Sequence, residues 1–256
     1  MATKKTAIVK WDVELSKLAT AATAVEENVG AGGNIIGTAG GRLKFKGAAV
    51  PGNKMNVVVV AHCIAYMDYE GNFDPDNPAS PRCFAFGRDE KKMVPHEKSV
   101  DKQCDTCAEC EQNVFGSAER GKAKHCKNSR RLAIITEGDL EDAAAAEVAY
   151  IHVPVTSVKA WAGYVRQVAD TLHRPPLGVV TELRLVPDDK NQFMMEFEVK
   201  KSIDDGEMIG ALLELGKAQE KAIEFPYLPF EGNDEKPTTG KKAPATKAPA
   251  KKGQKF

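Results

Sequence analysis

Residues 83–131 constrain this chain more than any other stretch. They hold Cys83, Cys104, Cys107, Cys110 and Cys126, five of the six cysteines, and then a basic run. Cys104, Cys107 and Cys110 form two overlapping C-x-x-C pairs, and Cys126 follows after a fifteen-residue gap. Two thiolates three residues apart on a tight turn grip one side of a tetrahedral ion, and thiolates from elsewhere in the chain close the other. Core or disulfide cysteines would sit among apolar neighbours, which this segment lacks. A long segment without an apolar period needs another source of order, and a bound ion supplies one. The spacing predicts a metal site.

Four thiolates around one ion leave no position for water or substrate, which is the arrangement of a structural zinc (Zn2+). Cys107 belongs to both C-x-x-C pairs, while Cys83 and Cys126 close the site from either side. The fourth position falls to Cys104 or Cys110. His96 and His125 are substitute ligands, although His125 adjoins Cys126 and the two could not easily point at one ion. An iron–sulfur cluster is the rival chemistry, but the C-x3-C-P continuation of bacterial ferredoxins is missing.

No apolar run is long enough to span a membrane, and residues 1–10 carry charges but no apolar signal core. The expectation is a cytoplasmic protein without membrane association, in a reducing compartment where clustered cysteines bind metal rather than pair. The net charge of +0 conceals an asymmetry. Residues 236–256 contain seven lysines and no acid, which leaves 29 basic against 36 acidic residues, a balance of −7, elsewhere. A mildly acidic body thus carries a basic tail.

Residues 11–29 place Trp11, Leu15, Leu18, Ala22 and Val25 near one face of an amphipathic helix. The glycine-rich residues 30–41 read as a flexible linker, closing an N-terminal unit at 1–41. In residues 42–46, Leu43 and Phe45 alternate with Arg42, Lys44 and Lys46, a strand pattern. Residues 55–66 form a near-continuous β-branched run suited to a buried central strand, with Cys63 as a small core residue. Residues 72–81 are loop, and the stretch from about 70 to 130 reads as an insertion into a host fold. Strand patterns resume at 131–135 and 148–153, with an acidic turn or short helix at 137–147. Thr156 is the expected N-cap of a helix reaching Leu172, with Val158, Trp161, Val165 and Val168 on its core face. Residues 179–186 and 192–200 alternate with period two around a polar turn and predict a hairpin. A last helix covers 205–223, and the Lys/Pro/Ala-rich residues 231–256 read as a disordered tail.

The fold class is mainly β with α (α+β). An OB-like five-stranded Greek-key barrel over residues 42–230, with the cysteine insertion and flanking helices, fits the order of elements. A generic α+β sandwich fits the same order.

Three features bear on nucleic acid. Arg120, Lys122, Lys124, Lys127, Arg130 and Arg131 form a basic cluster beside the cysteines, with no acid from Gly121 through Thr136. Such a cluster attracts a phosphate backbone through counterion release. Arg42, Lys44 and Lys46 supply a second basic face. Tyr66, Tyr69 and Phe86 are the aromatics placed to stack bases, since every base offers a π-face. Hydrolytic and redox motifs are missing, and the chain reads as a non-enzyme.

The run Cys107-Ala-Glu-Cys110, Asn113, Phe115-Gly-Ser-Ala118, Gly121-Lys122, Cys126-Lys127-Asn128, Arg130-Arg-Leu-Ala133 resembles a cysteine block of tailed-bacteriophage proteins. The overall layout resembles the phage single-stranded-DNA-binding proteins, an OB-type barrel with a zinc insertion in some members. That resemblance implies zinc on Cys107 and Cys110, with Cys126 third and Cys83 upstream, and leaves Cys104 spare. It implies sequence-nonspecific single-stranded-DNA binding in phage replication, recombination or transcription, inside a bacterial host cell, alongside replication or transcription proteins. The tail departs from the family, whose members often end in acidic partner-recruiting segments. The alternative reading is a zinc-knuckle adaptor or structural protein that binds RNA polymerase or a virion component.

Overall fold

A computed structural model describes residues 34–71, 80–119 and 121–227. The expected N-terminal helix, the first four residues of the glycine-rich linker, the loop at 72–79, Arg120 and the basic tail lie outside the described residues.

The organising element is β4, Lys54–Asp68, a 15-residue strand. Its β-branched run, Val57 to Val60, is buried on both sides, as a strand covered on two faces requires. The other strands are β1 (Ile35–Ile36), β2 (Lys44–Phe45), β3 (Ala48–Ala49), β5 (Cys83–Gly87), β6 (Lys127–Thr136), β7 (Ala149–Val153), β8 (Val179–Asp188) and β9 (Gln192–Ser202). Seven of them form one sheet in the order β1-β7-β6-β4-β8-β9, with β5 also paired to β4. The sheet curls into a half-barrel, and with its few helices the fold is mixed α+β.

One edge of β4 pairs with β6 from Val57 to Met67, with a register shift between Val59 and Ala61. The opposite edge changes partner: Lys54–Val57 pairs with β8, and Ile64–Asp68 pairs with β5. The intervening residues 58–63 pair with neither.

Two helices cover the sheet. α1, Val158–Leu172, buries Trp161, Tyr164 and Val168 against Val57, Val59, Leu132, Ile134, Leu183 and Met195. It stops at His173, in the left-handed conformation (φ 53°), before Arg174, Pro175 and Pro176. The N-cap is Ser157 rather than the expected Thr156, and the Ser157 hydroxyl instead accepts from the Met195 backbone N–H (2.8 Å). α2, Gly206–Ala222, is capped by Asp205, whose carboxylate accepts from the Glu207 and Met208 N–H groups (2.9 Å each). It packs Leu212 on the other face, with Val58, Val60, Cys63, Ala133 and Ile135. Gly216 lies so close to β4 that a Cβ there would meet the Val60 carbonyl oxygen at 2.7 Å. Only glycine permits that approach.

The hairpin β8–β9, both helices, β7 and the central strand match the sequence pattern. Four expectations are corrected. The main sheet has seven strands and curls only to a half-barrel, in place of the expected five-stranded barrel, because β1 and β5 add to it. Residues 42–46 do not enter the main sheet. Positive φ at Lys46 and Gly47 reverses the chain at once, so β2 pairs with β3 in a two-stranded ribbon and is otherwise tied only by the Gly37–Lys44 bridge after β1. The end of the glycine-rich segment is no simple connector, because Ile35–Ile36 pairs in parallel with β7. The cysteine insertion contains its own strand, β5, and the basic residues Lys127, Arg130 and Arg131 lie inside β6.

Candidate metal centre and nucleic-acid interface

Three chain segments deliver the cysteines to one place. Cys83 opens β5 opposite Asp68, Cys104, Cys107 and Cys110 lie on the loop after it, and Cys126 immediately precedes β6. All five line one small enclosed cavity of about 10 Å³, together with Tyr66, Asp68 and Asn113. Cys83, Cys107, Cys110 and Cys126 are buried and Cys104 is partly exposed; Cys63 is buried elsewhere, in the core under α2.

The loop is held by its backbone. The Cys107 N–H donates to the Met93 carbonyl (2.9 Å), and the Cys126 N–H to Gln112 (2.8 Å). Asn113 Nδ2 donates to the Cys107 carbonyl (2.8 Å), and Lys124 Nζ donates to Asn113 Oδ1 (3.1 Å). Beside the cavity the buried Asp68 carboxylate takes Arg82 Nε at 2.8 Å and His125 Nδ1 at 2.5 Å. That contact commits His125 to Asp68.

Burial pushes the Cys107 thiol up to about 11, with the neighbouring Cys83 and Cys110 sulfurs adding to it. Burial, then Asp68 and the other sulfurs, pushes Cys126 up to about 12. Cys83 and Cys104 are raised too, in each case first by desolvation. Sulfurs that disfavour one another's ionisation are what a shared divalent cation would reverse, since metal ligation deprotonates thiols. The donor set therefore fits a thiolate metal, although among the described residues no three His, Cys, Asp or Glu side chains already stand in ligating geometry. The partly exposed Cys104 shares the cavity with the four expected ligands, so the structure assigns no spare.

The basic and aromatic residues divide differently from the sequence pattern. Arg131 is only 3% exposed. Its guanidinium lies over the rings of Phe225 (3.8 Å), Phe86 (4.4 Å) and Tyr227 (4.9 Å), and donates to the Ile223 and Phe225 carbonyls (2.8 and 2.7 Å). It ties the end of α2 to β6 and offers no face to a phosphate. Tyr66 is 2% exposed, packed with Cys107 and Cys126. Phe86 stacks on Tyr227, and the Tyr69 hydroxyl contacts Met67 Sδ at 3.6 Å. None of these three aromatics is an open platform. Among the described residues the exposed aromatic is Phe115, at 78%, with Lys124 Nζ 4.9 Å over its ring. Lys122 and Lys127 are exposed beside that loop.

Arg42, Lys44 and Lys46 are exposed, but Lys46 is ion-paired to Glu147, next to the end of β6 remote from Lys127. They form a separate patch and do not join the basic cluster.

Arg130 opens into a different feature. On the unpaired edge of β4, between β8 and β5, lies a cleft of about 690 Å³ bounded by both helices. Arg88, Arg130, Arg166 and Lys217 line it with one carboxylate, Glu220, and with His62 and Trp161. This site was not legible from spacing, because its residues come from six separated segments. Among the described residues no helix is long and apolar enough to cross a membrane. Comparison with family models, with curated proteins and with solved structures finds no match.

Proposed function

We propose that the protein is a non-enzymatic, zinc-containing single-stranded-DNA-binding protein of the kind found in tailed bacteriophages. The observation that carries the reading is the course of β6. The strand leaves the thiol cavity at Cys126 and within four residues delivers Arg130 to the cationic cleft. Zinc on four of the five clustered thiols, with Cys83, Cys107, Cys110 and Cys126 as the expected set, would fix the start of β6 and the loop bearing Phe115, Lys122 and Lys124. Those groups supply one aromatic face and several cations, the combination that holds a single strand without reading its sequence. The curled sheet serves as an OB-like platform, and the seven-lysine tail adds non-specific phosphate contacts.

Fluorescence anisotropy of labelled oligo(dT) and of a matched duplex, over a salt series, tests the reading. The expected result is tight binding to the single strand, much weaker binding to duplex, and a steep loss of affinity with salt. Equal, weak binding to both forms that disappears with the tail would contradict it and favour the adaptor reading.

A further inference from the structure

The cleft has properties the basic run alone does not explain. β4 carries a register shift between Val59 and Ala61, just where its edge is left by β8 and not yet taken by β5. After the shift His62, Ile64 and Tyr66 are paired directly with Leu132, Arg130 and Asn128, so these side chains share one face of the sheet. The His62 ring stands edge-on to Trp161, centroids 5.6 Å apart at 72°, so a fully packed tryptophan fixes its orientation. His62 itself is open to the cleft. The cleft walls desolvate the ring, and Arg88 and Arg130 stand nearby; both effects lower its pKa and keep it uncharged at neutral pH.

The cations around it differ in commitment. Arg88 donates to the Glu220 carbonyl (2.7 Å) and Glu224 (3.2 Å), and Lys217 pairs with Glu214 (2.7 Å). Arg130 is steadied by the Ser129 carbonyl (2.8 Å) and reaches the exposed Glu90 only at 3.4 Å. Arg166, exposed on α1, has no hydrogen-bond or ion-pair partner among the described residues. Four cations and one carboxylate line the cleft; Arg88, Lys217 and Arg130 also reach carboxylates outside that lining, so the unpaired charge facing an anionic occupant is that of Arg166, with Arg130 loosely held beside it. The volume falls within the range of ligand clefts, roughly 300–1,000 Å³.

We propose that this cleft holds one nucleotide unit of the single strand, with a base against the His62 ring and phosphates against Arg130 and Arg166. The proposal rests on the single-stranded-DNA reading above. It adds a stacking residue and a phosphate contact that lie outside the cysteine segment. Trp161 backs His62 and acts as a positioning residue.

The test uses the full chain carrying Trp11→Phe, so that Trp161 is its remaining tryptophan. Oligo(dT) should change Trp161 fluorescence as it binds. His62→Ala should weaken binding about tenfold with the salt slope unchanged, as expected for a lost stacking contact. Arg166→Glu should weaken it at least about tenfold and reduce the slope by about one. Lys190→Glu, at the exposed β8–β9 turn, controls for general charge and should have little effect. If the parent binds oligo(dT) while His62→Ala and Arg166→Glu bind as tightly, the cleft is not the site and the DNA-binding reading still stands. If Lys190→Glu weakens binding as much as Arg166→Glu, the effect is general electrostatics and the cleft proposal falls. If the parent does not bind oligo(dT), both proposals fall.

Discussion

The two ends of β4 are held by different physics. At its N-terminal end Val57, Val58, Leu132, Ile134 and Ile135 are fully buried between two helices, and apolar burial alone accounts for order there. At its C-terminal end the buried cluster is Ile64, Tyr66, Ala85, Met93, Cys107 and Cys126, so two of its six members are thiols. The surrounding loop is tied by backbone hydrogen bonds and by polar side chains such as Ser99, Asn113 and Ser117 rather than by apolar packing. A sequence can therefore run one continuous strand through two regions whose stability responds to different perturbations. Cavities weaken the first, and metal removal should weaken the second.

The largest expected effect that separates them is a cavity. Leu132→Ala removes a β6 side chain packed in the cluster that α1 covers, and should lower global stability by about 2–5 kcal/mol in urea unfolding. Cys126→Ser should instead strip hydrogen-exchange protection from the Cys107 and Cys126 amides while leaving the β6–β7 ladder protected. Loss of protection throughout the sheet would merge the two regions and remove the distinction.

A smaller effect should come from the join between them. Arg131→Lys keeps the charge but loses the planar fork that serves two carbonyls while stacking on three rings. A loss of about 1–3 kcal/mol in urea unfolding is expected, with loosening of the end of α2. Unchanged stability would mean that α2 is anchored by Leu212 and Ile223 alone.

The smallest effects depend on pH, and the two regions should respond in opposite directions. Burial, then Arg131, depresses His152 from 6.5 to about 4. The folded state thus binds fewer protons than the unfolded one in that window, and stability falls as pH drops through it. Comparing His152→Gln with the parent separates this from carboxylate titration. In the metal-free protein Cys107 titrates at about 11 rather than 9.0. There the folded state binds more protons than the unfolded one, so metal-free stability falls as pH rises from about 9 to 11. Zinc uptake at neutral pH should release protons, measurable by calorimetry in buffers of different ionisation enthalpy.

The apolar half of the molecule was legible because its periods are local. The alternation in β8 and β9 placed Thr181, Leu183 and Leu185 on the buried face, and the core spacing in α1 placed Trp161 and Val168 there. The functional half was less legible because it depends on partners far apart in the chain. Five clustered cysteines predicted convergence on one point, but neither spacing nor geometry separates Cys104 from Cys110. Arg131 read as surface charge, yet it is in phase with Ala133 and Ile135 on the α2 face of β6, a parity signal that basic composition masked. His62 gave no signal at all, because it becomes a site residue only where β4 changes edge partners.

Chelation most directly tests the claim that a metal orders the region serving DNA. Purified protein would be titrated with a chelator while zinc release and labelled oligo(dT) binding are followed in one sample. The account predicts about one zinc per chain, with zinc and high-affinity binding lost together and restored by added zinc. Protein that contains no zinc as purified, or that loses its zinc and binds the oligonucleotide unchanged, would contradict it.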